Sequence, residues 1–433
     1  MAMEHLLRHL ISAALALAAT FPLHATTLEA DDVLEAAAGY TVKIKRTSGI
    51  GLNEDSGNSA HATGFLVDRR RGWILTNAHV ASRSPTTLSV SFKGQPYVKA
   101  KRIFVDRLTD VAVLEIAPSA IPANSGESSL QCSEQPRIGA PVAIFGHPGD
   151  LSYTATRGII SSIPWIFPTE VIQSDAVVNG GNSGGPMIGL DTGKVVGIAA
   201  ATYRDTEDEY SSATSLSEPI SPVCKILDLL KAGKDTRYRQ LPVAYATAED
   251  DDRPIVATVF DKASGLQLGD LIVAVAGQRG IRNSSDIATA LRGETGPVPL
   301  VVERGGKEVM MSVTAEAYPD VLAARSIDFA GLIISEQWKL DRAEFEHERY
   351  PVIDFIRPGS PAEITKANPG YQFVSVNEQS FSDLGKLYAY LAGLPEDTDV
   401  RVVLKAPTDA GQFNSQYHHV VLPAGKPKII HVQ

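Results

Sequence analysis

In 433 residues there are only two cysteines, Cys132 and Cys224. Two cannot build the multi-bridge framework of a disulfide scaffold, and neither has neighbours at zinc-ligand spacing. Basic residues are not in excess: 40 Lys and Arg stand against 50 Asp and Glu, a net charge of −10. The chain therefore lacks an electrostatic footprint for nucleic acid and has little attraction to anionic membranes. After the N-terminal region no apolar run approaches the about 20 residues of a spanning helix, so the mature chain is expected to be soluble. Nucleotide and metal motifs are also missing, so no cofactor and no metal is expected. What remains is the composition of a globular protein, 44% hydrophobic and 21% charged, long enough for roughly three domains.

The N-terminus has the order of an export signal. Arg8 and His9 precede an apolar run over 10–21 that ends in Leu23-His24-Ala25. Positive, apolar and small-residue regions in that order predict a cleaved signal peptide over 1–25 and a periplasmic or cell-envelope location. A short amphipathic helix or anchor is the competing reading.

From about residue 40 to 214 the chain is a series of short β-type runs, among them 40–44, 63–67, 73–76, 87–92, 111–116, 142–145 and 195–199. Tyr40-Thr41-Val42-Lys43-Ile44 alternates apolar and polar residues, as a half-buried strand does. Turn formers separate the runs and no helical pattern intervenes, which predicts an all-β barrel or sandwich. Pro219 then opens a helical pattern over Ile220–Lys231 that Gly233 stops. The acidic run Glu249-Asp250-Asp251-Asp252 reads as a solvated loop. Beyond it, Gly269-Asp270-Leu271-Ile272-Val273-Ala274-Val275 parallels Gly370-Tyr371-Gln372-Phe373-Val374-Ser375-Val376 at an offset of 101. Each is followed by a helix start and a later β-run, which suggests a duplicated small module.

The chemistry centres on Gly181-Asn182-Ser183-Gly184-Gly185-Pro186. Alone this peptide fits a hydrolase nucleophile elbow or an ordinary glycine-rich turn. A serine needs a base to take its proton, and that base needs an acid to hold its tautomer. His79 ends the apolar strand pattern Trp73-Ile74-Leu75-Thr76, and Asp110 heads Val111-Ala112-Val113-Leu114. His, then Asp, then Ser is the order of a chymotrypsin-type triad and not of the α/β-hydrolases. His61 and His147 also precede Ser183, in polar or glycine-rich surroundings.

These peptides resemble the HtrA/Deg family of exported serine proteases. The likeness is carried by Ala62-Thr63-Gly64-Phe65, Thr76-Asn77-Ala78-His79-Val80, Asp110-Val111-Ala112-Val113-Leu114 and the long stretch from Ile172 to Pro186. It implies a mainly β chain: a trypsin-like double β-barrel protease domain (26–235) followed by two PDZ-like α+β domains (238–318 and 326–425). It also implies that His79, Asp110 and Ser183 are catalytic, with backbone N–H groups of Gly181 and Ser183 as oxyanion hole. Val177, Val178, Ala199, Ala200 and Ala201 would line the substrate pocket, which favours cleavage after small or medium aliphatic residues; plain barrel core is the other reading of these five. In a double barrel the Cys132 linker and the Cys224 helix can be neighbours, so the two form either a disulfide or a pair of buried thiols.

Two features depart from the family pattern. Pro242 in Leu241-Pro242-Val243 stands where a peptide-binding loop has glycine, and it lacks an N–H for a carboxylate. The second module keeps an apolar glycine loop, Phe329-Ala330-Gly331-Leu332-Ile333, but has Gly370-Tyr371 in place of Gly-Asp. The acidic stretch from Tyr203 to Tyr210 falls where the family has mobile loops, and reads as a solvated loop or an allosteric sensor. The function implied is ATP-independent endoproteolysis of unfolded or misfolded proteins by a chain that forms trimers or larger assemblies. The alternatives are a chaperone or PDZ scaffold with minor proteolysis, and a processing protease with one substrate.

Overall fold

Residues that alternate between water and a packed interior close into two six-stranded barrels. The computed structural model describes residues 29–52, 59–149, 151–166, 169–203, 214–248, 251–336, 350–396, 398–407 and 416–432. The expected signal at 1–25 and the acidic loop at 204–210 lie outside the described residues. A helix, α1 (Ala30–Tyr40), leads into the first barrel and buries Val33, Ala37 and Tyr40 against it.

The first barrel consists of β1 (Thr41–Ser48), β2 (Ser59–Asp68), β3 (Trp73–Thr76), β4 (Thr86–Ser91), β5 (Val98–Asp106) and β6 (Val111–Glu115). Its strands close in the order β1-β2-β3-β6-β5-β4. Every residue of β3 is buried, as are the first four of β6, so the pair at the catalytic side has no solvent face. That explains why both read as continuous apolar runs and not as alternating ones. Between β3 and β4 lies a single helical turn, α2 (Ala78–Ala81).

The second barrel uses β7 (Pro141–Gly146), β8 (Thr154–Ser162), β11 (Ile172–Ser174), β12 (Pro186–Gly189), β13 (Val195–Tyr203) and β14 (Thr214–Pro219), closed as β11-β14-β13-β12-β7-β8. A short ribbon, β9 (Trp165–Ile166) with β10 (Thr169–Glu170), projects from it. Helix α3 (Ile220–Lys231) follows and packs Ile220, Val223, Ile226 and Leu227 into the same cluster as the first barrel. Phe145, Ile188, Val195 and Ile198 of the second barrel join that cluster, so one core spans the cleft between the barrels. Cys132 and Cys224 are disulfide-bonded, with Cα atoms 5.8 Å apart, tying the inter-barrel linker to α3.

Each C-terminal module is a sheet with one helix, α4 (Ser284–Leu291) in the first and α5 (Leu384–Ala392) in the second. The repeat holds in three dimensions: strands Leu271–Val275 and Gln372–Val376 show the same burial sequence, at the 101-residue offset. The acidic run is not wholly a loop, because a strand begins at Asp251 and pairs it with Ala248 across a hairpin.

The modules differ at one edge. In the first, strand Val243–Ala248 is paired on one side only among the described residues. In the second, Ala330 and Gly331, at φ 52° and 94°, make a two-residue hairpin turn between strands Arg325–Phe329 and Leu332–Ser335. Positive φ at both central positions is the requirement of the hairpin turn that matches strand twist. The apolar glycine loop is therefore a hairpin turn, and strand Leu332–Ser335 is paired on both sides. The C-terminal strand Lys428–His431 then pairs on the far side of Arg325–Phe329. No helix among the described residues is long and apolar enough to cross a membrane.

Candidate active site

His79 and Asp110 meet beside β3 and β6 of the first barrel, and Ser183, on a loop of the second, is tied to the first barrel through Thr63. His79 stands in α2, just past the buried β3, and Asp110 is the last residue before β6. Four hydrogen bonds lock the pair. His79 N donates to Asp110 Oδ1 at 3.0 Å, and His79 Nδ1 pairs with Asp110 Oδ2 at 2.8 Å. Ala78 N and Asn77 Nδ2 both donate to the Asp110 carbonyl, at 3.1 and 3.0 Å. Asp110 holds φ at 47°, a conformation that a non-glycine residue keeps only where its surroundings over-determine it. A ring that donates Nδ1–H to the carboxylate leaves the Nε2 lone pair turned away from it.

Ser183 lies in the loop between β11 and β12. Its carbonyl accepts from Thr63 N at 2.9 Å, and Thr63 Oγ1 donates to the Gly181 carbonyl at 2.7 Å. His147 N in turn donates to Thr63 Oγ1 at 3.1 Å. The Gly180 carbonyl accepts from Gly149 N at 2.9 Å. Among the described residues no acceptor meets the N–H of Gly181 or of Ser183. Gly181, at φ 104°, passes so close to the strand end that a Cβ would lie 2.3 Å from the His147 carbonyl oxygen. Glycine is required there by both conformation and space.

The Ser183 hydroxyl donates to the Ala200 carbonyl at 3.1 Å, and among the described residues it makes no hydrogen bond to His79. Such bonds often tighten only when substrate binds. His147 is buried, and burial first, then the charge of Lys43, lowers its pKa to about 4. Its Nδ1 accepts from Tyr153 N at 3.0 Å, so it serves as a neutral strut of the loop and not as the base. Behind Asp110, Glu218 of β14 has its pKa raised by burial and then by the Asp110 charge.

The residues expected to line the pocket divide. Val177 is 56% exposed, whereas Val178 and Ala199 are buried in the core cluster of the second barrel. Ala200 is 9% exposed and supplies the carbonyl that meets Ser183, while the Ala201 side chain lies outside the described residues. Thr63, Asn77, His147 and Glu218 escape a reading of the triad alone. The first two sit in the peptides that carry the family resemblance; Glu218 has no local signal at all.

Comparison with known proteins bears on the family and the fold. The family described as a trypsin-like peptidase domain matches residues 62–198. A probable periplasmic serine endoprotease, DegP-like, of Halomonas elongata is 30% identical over 372 residues, covering 79% of this chain and 76% of the relative. The serine endoprotease DegS of Escherichia coli K12 is 28% identical over 328 residues, covering 68% of this chain and 90% of the relative. Among solved structures, the HtrA-type protease AlgW with tripeptide superposes at a TM-score of 0.54 with 21% identity, over 67% of this chain and 98% of that one. At that identity the likeness speaks to the fold.

Proposed function

Since this chain belongs to the HtrA/Deg family of exported trypsin-like serine endoproteases, we propose that His79, Asp110 and Ser183 cleave unfolded or misfolded polypeptides of the cell envelope. The observation that carries this reading is the doubly bonded His79–Asp110 pair beside a serine on a glycine-shaped loop. In the proposed cycle, Ser183 Oγ turns from the Ala200 carbonyl to His79 Nε2, loses its proton there and attacks the scissile carbonyl. The N–H groups of Gly181 and Ser183 receive the developing oxyanion, each worth about 3–4 kcal/mol to the transition state. His79 then returns the proton to the leaving amine, while Asp110 stabilises the imidazolium. Water repeats the sequence on the acyl-enzyme.

Val177, Val178, Ala199, Ala200 and Ala201 bring no carboxylate to the pocket, so P1 residues are taken to be small or medium and aliphatic. A cleaved leader at 1–25 accounts for export, in keeping with relatives named periplasmic. The protease unit is assigned to 26–235 and the PDZ-like modules to 238–318 and 326–425. Of these modules the first, whose strand Val243–Ala248 is paired on one side only among the described residues, is the one suited to adding a peptide as a strand, with Pro242 offering no N–H to its carboxylate. Assembly through the protease unit, as trimers or larger, belongs to the same proposal.

The test is digestion of casein by the purified chain beside Ser183→Ala. Cleavage by the wild type alone, with fragments ending mainly in Val, Ala or Ile, supports the reading. Fragments ending in Lys or Arg would overturn the pocket assignment. Suppression of client aggregation by both proteins, without cleavage by either, would move the chaperone or scaffold reading ahead.

A further inference from the structure

The turn that carries His79 is held both by arginines of the first barrel and by the second C-terminal module. Arg46 Nη1 donates to the His79 carbonyl at 2.8 Å. Directly after α2, Arg102 Nη1 donates to the carbonyls of Ala81, Ser82 and Ser84 at 3.3, 2.8 and 2.9 Å. Ser82 holds φ at 63°, which a serine keeps only under such constraint. Two of the groups that fix this turn also reach the second C-terminal module. Arg83 forks onto Asp354 at 2.7 and 2.5 Å, 271 residues away in sequence, and both side chains are buried. Arg102 Nη2 donates to the carbonyl of Val432, one residue beyond the C-terminal strand.

We propose that the second C-terminal module is a positioning brace for the catalytic histidine: docked through Asp354 and Val432, it fixes the 81–84 turn and thereby His79 on Asp110. The chemistry makes the brace two-state. Taking the Asp354 carboxylate from this buried guanidinium removes a bidentate ion pair, and a buried charge with less compensation is costly and is drawn toward solvent. Arg83 lies on the turn itself, so its departure reshapes the segment that follows α2. The hairpin at Ala330-Gly331 agrees with this role. It uses the strand edge of the module within the chain, where peptide capture would need it free. Asp354 and Arg83 touch no reacting atom; they act through the backbone of the His79 turn.

The inference rests on His79 as the base, and the experiment separates the two. Full-length wild type, Asp354→Asn, Asp354→Glu, Ser183→Ala and a chain ending at Gly425 are assayed on a peptide that the wild type cleaves. Each is also followed by the rate of acylation by a small sulfonyl fluoride and by thermal melting. Asp354→Asn is expected to lower kcat about ten- to a hundredfold, the scale of a displaced catalytic group, with KM within about twofold. Acylation should fall by the same factor. The shortened chain should change in the same direction, and Asp354→Glu should recover most of the rate. Wild-type kcat and acylation rate in Asp354→Asn and in the shortened chain, with only a lower melting temperature, would overturn the brace. If Asp354→Asn does not fold, the shortened chain decides alone. An inert wild type, or cleavage by Ser183→Ala, would instead overturn the active site on which the brace rests.

Discussion

His79 and Asp110 meet because two buried strands end side by side, β3 pairing with β6 from Trp73–Glu115 to Thr76–Ala112. Their separate one-residue contexts are unremarkable; only the order of the three groups along the chain made them legible. Asp110→Asn should keep the fold and lower kcat by about 10⁴, since an amide selects the wrong imidazole tautomer. His147 and Glu218 make opposite pH predictions. The His147 pKa is lowered to about 4, so between the unfolded value near 6.5 and 4 the unfolded chain binds a proton that the folded chain refuses. Stability is whole above pH 6.5 and falls on acidification, by at most about 3 kcal/mol. Denaturant unfolding at pH 7 and pH 4.5 should show that slope in the wild type and a flatter one in His147→Asn. Glu218 has the reverse sign: its pKa is raised, so stability falls as pH rises above the ordinary carboxylate value of 4.5. Glu218→Gln should therefore melt higher than wild type at pH 7.5 and match it near pH 4.5. Neither burial is visible in the sequence, because each depends on strands that the fold brings together from a distance.

At the scale of the element, the nucleophile loop is shaped by glycines that close neighbours demand. Gly184, at φ 84°, has Thr76 Oγ1 at 2.1 Å and the Thr63 carbonyl at 2.2 Å from where a Cβ would stand. Gly184→Ala should abolish cleavage and lower the melting temperature, read together by peptide assay and calorimetry. The disulfide closes 92 residues of chain, for which loop-closure entropy gives about 4–5 kcal/mol. Cys132→Ser with Cys224→Ser should lose 2–5 kcal/mol, about the range for native disulfides, in a denaturant titration. Helix α3 was legible to its ends, since Pro219 and Gly233 bracket a 3.6-residue pattern. Strand β8 was harder to read: five of its nine residues are half-buried, only one is buried, and it carries Gly158 and Arg157, so neither periodicity dominates.

Over the whole molecule, the duplicated module was legible from its repeat, but its docking was not. Arg292 of the first module meets Asp106 of the first barrel at 2.5 Å, and Arg83 meets Asp354 of the second. All four side chains are buried. These pairs join residues 186 and 271 positions apart, beyond the reach of any local pattern. Removing one partner of such a pair costs about 3–5 kcal/mol, so Arg292→Met should loosen the first module, seen as faster proteolysis between the barrels and α4. The edge difference between the modules was also hidden, because Ala330-Gly331 reads equally well as a binding loop and as a hairpin turn.

The most direct test of the central claim is the site of covalent labelling by a fluorophosphonate, read by intact mass and peptide mapping. A single adduct on Ser183, absent in Ser183→Ala and strongly slowed in His79→Ala, is the predicted result. An adduct on another serine, or undiminished peptide cleavage by Ser183→Ala, would contradict it.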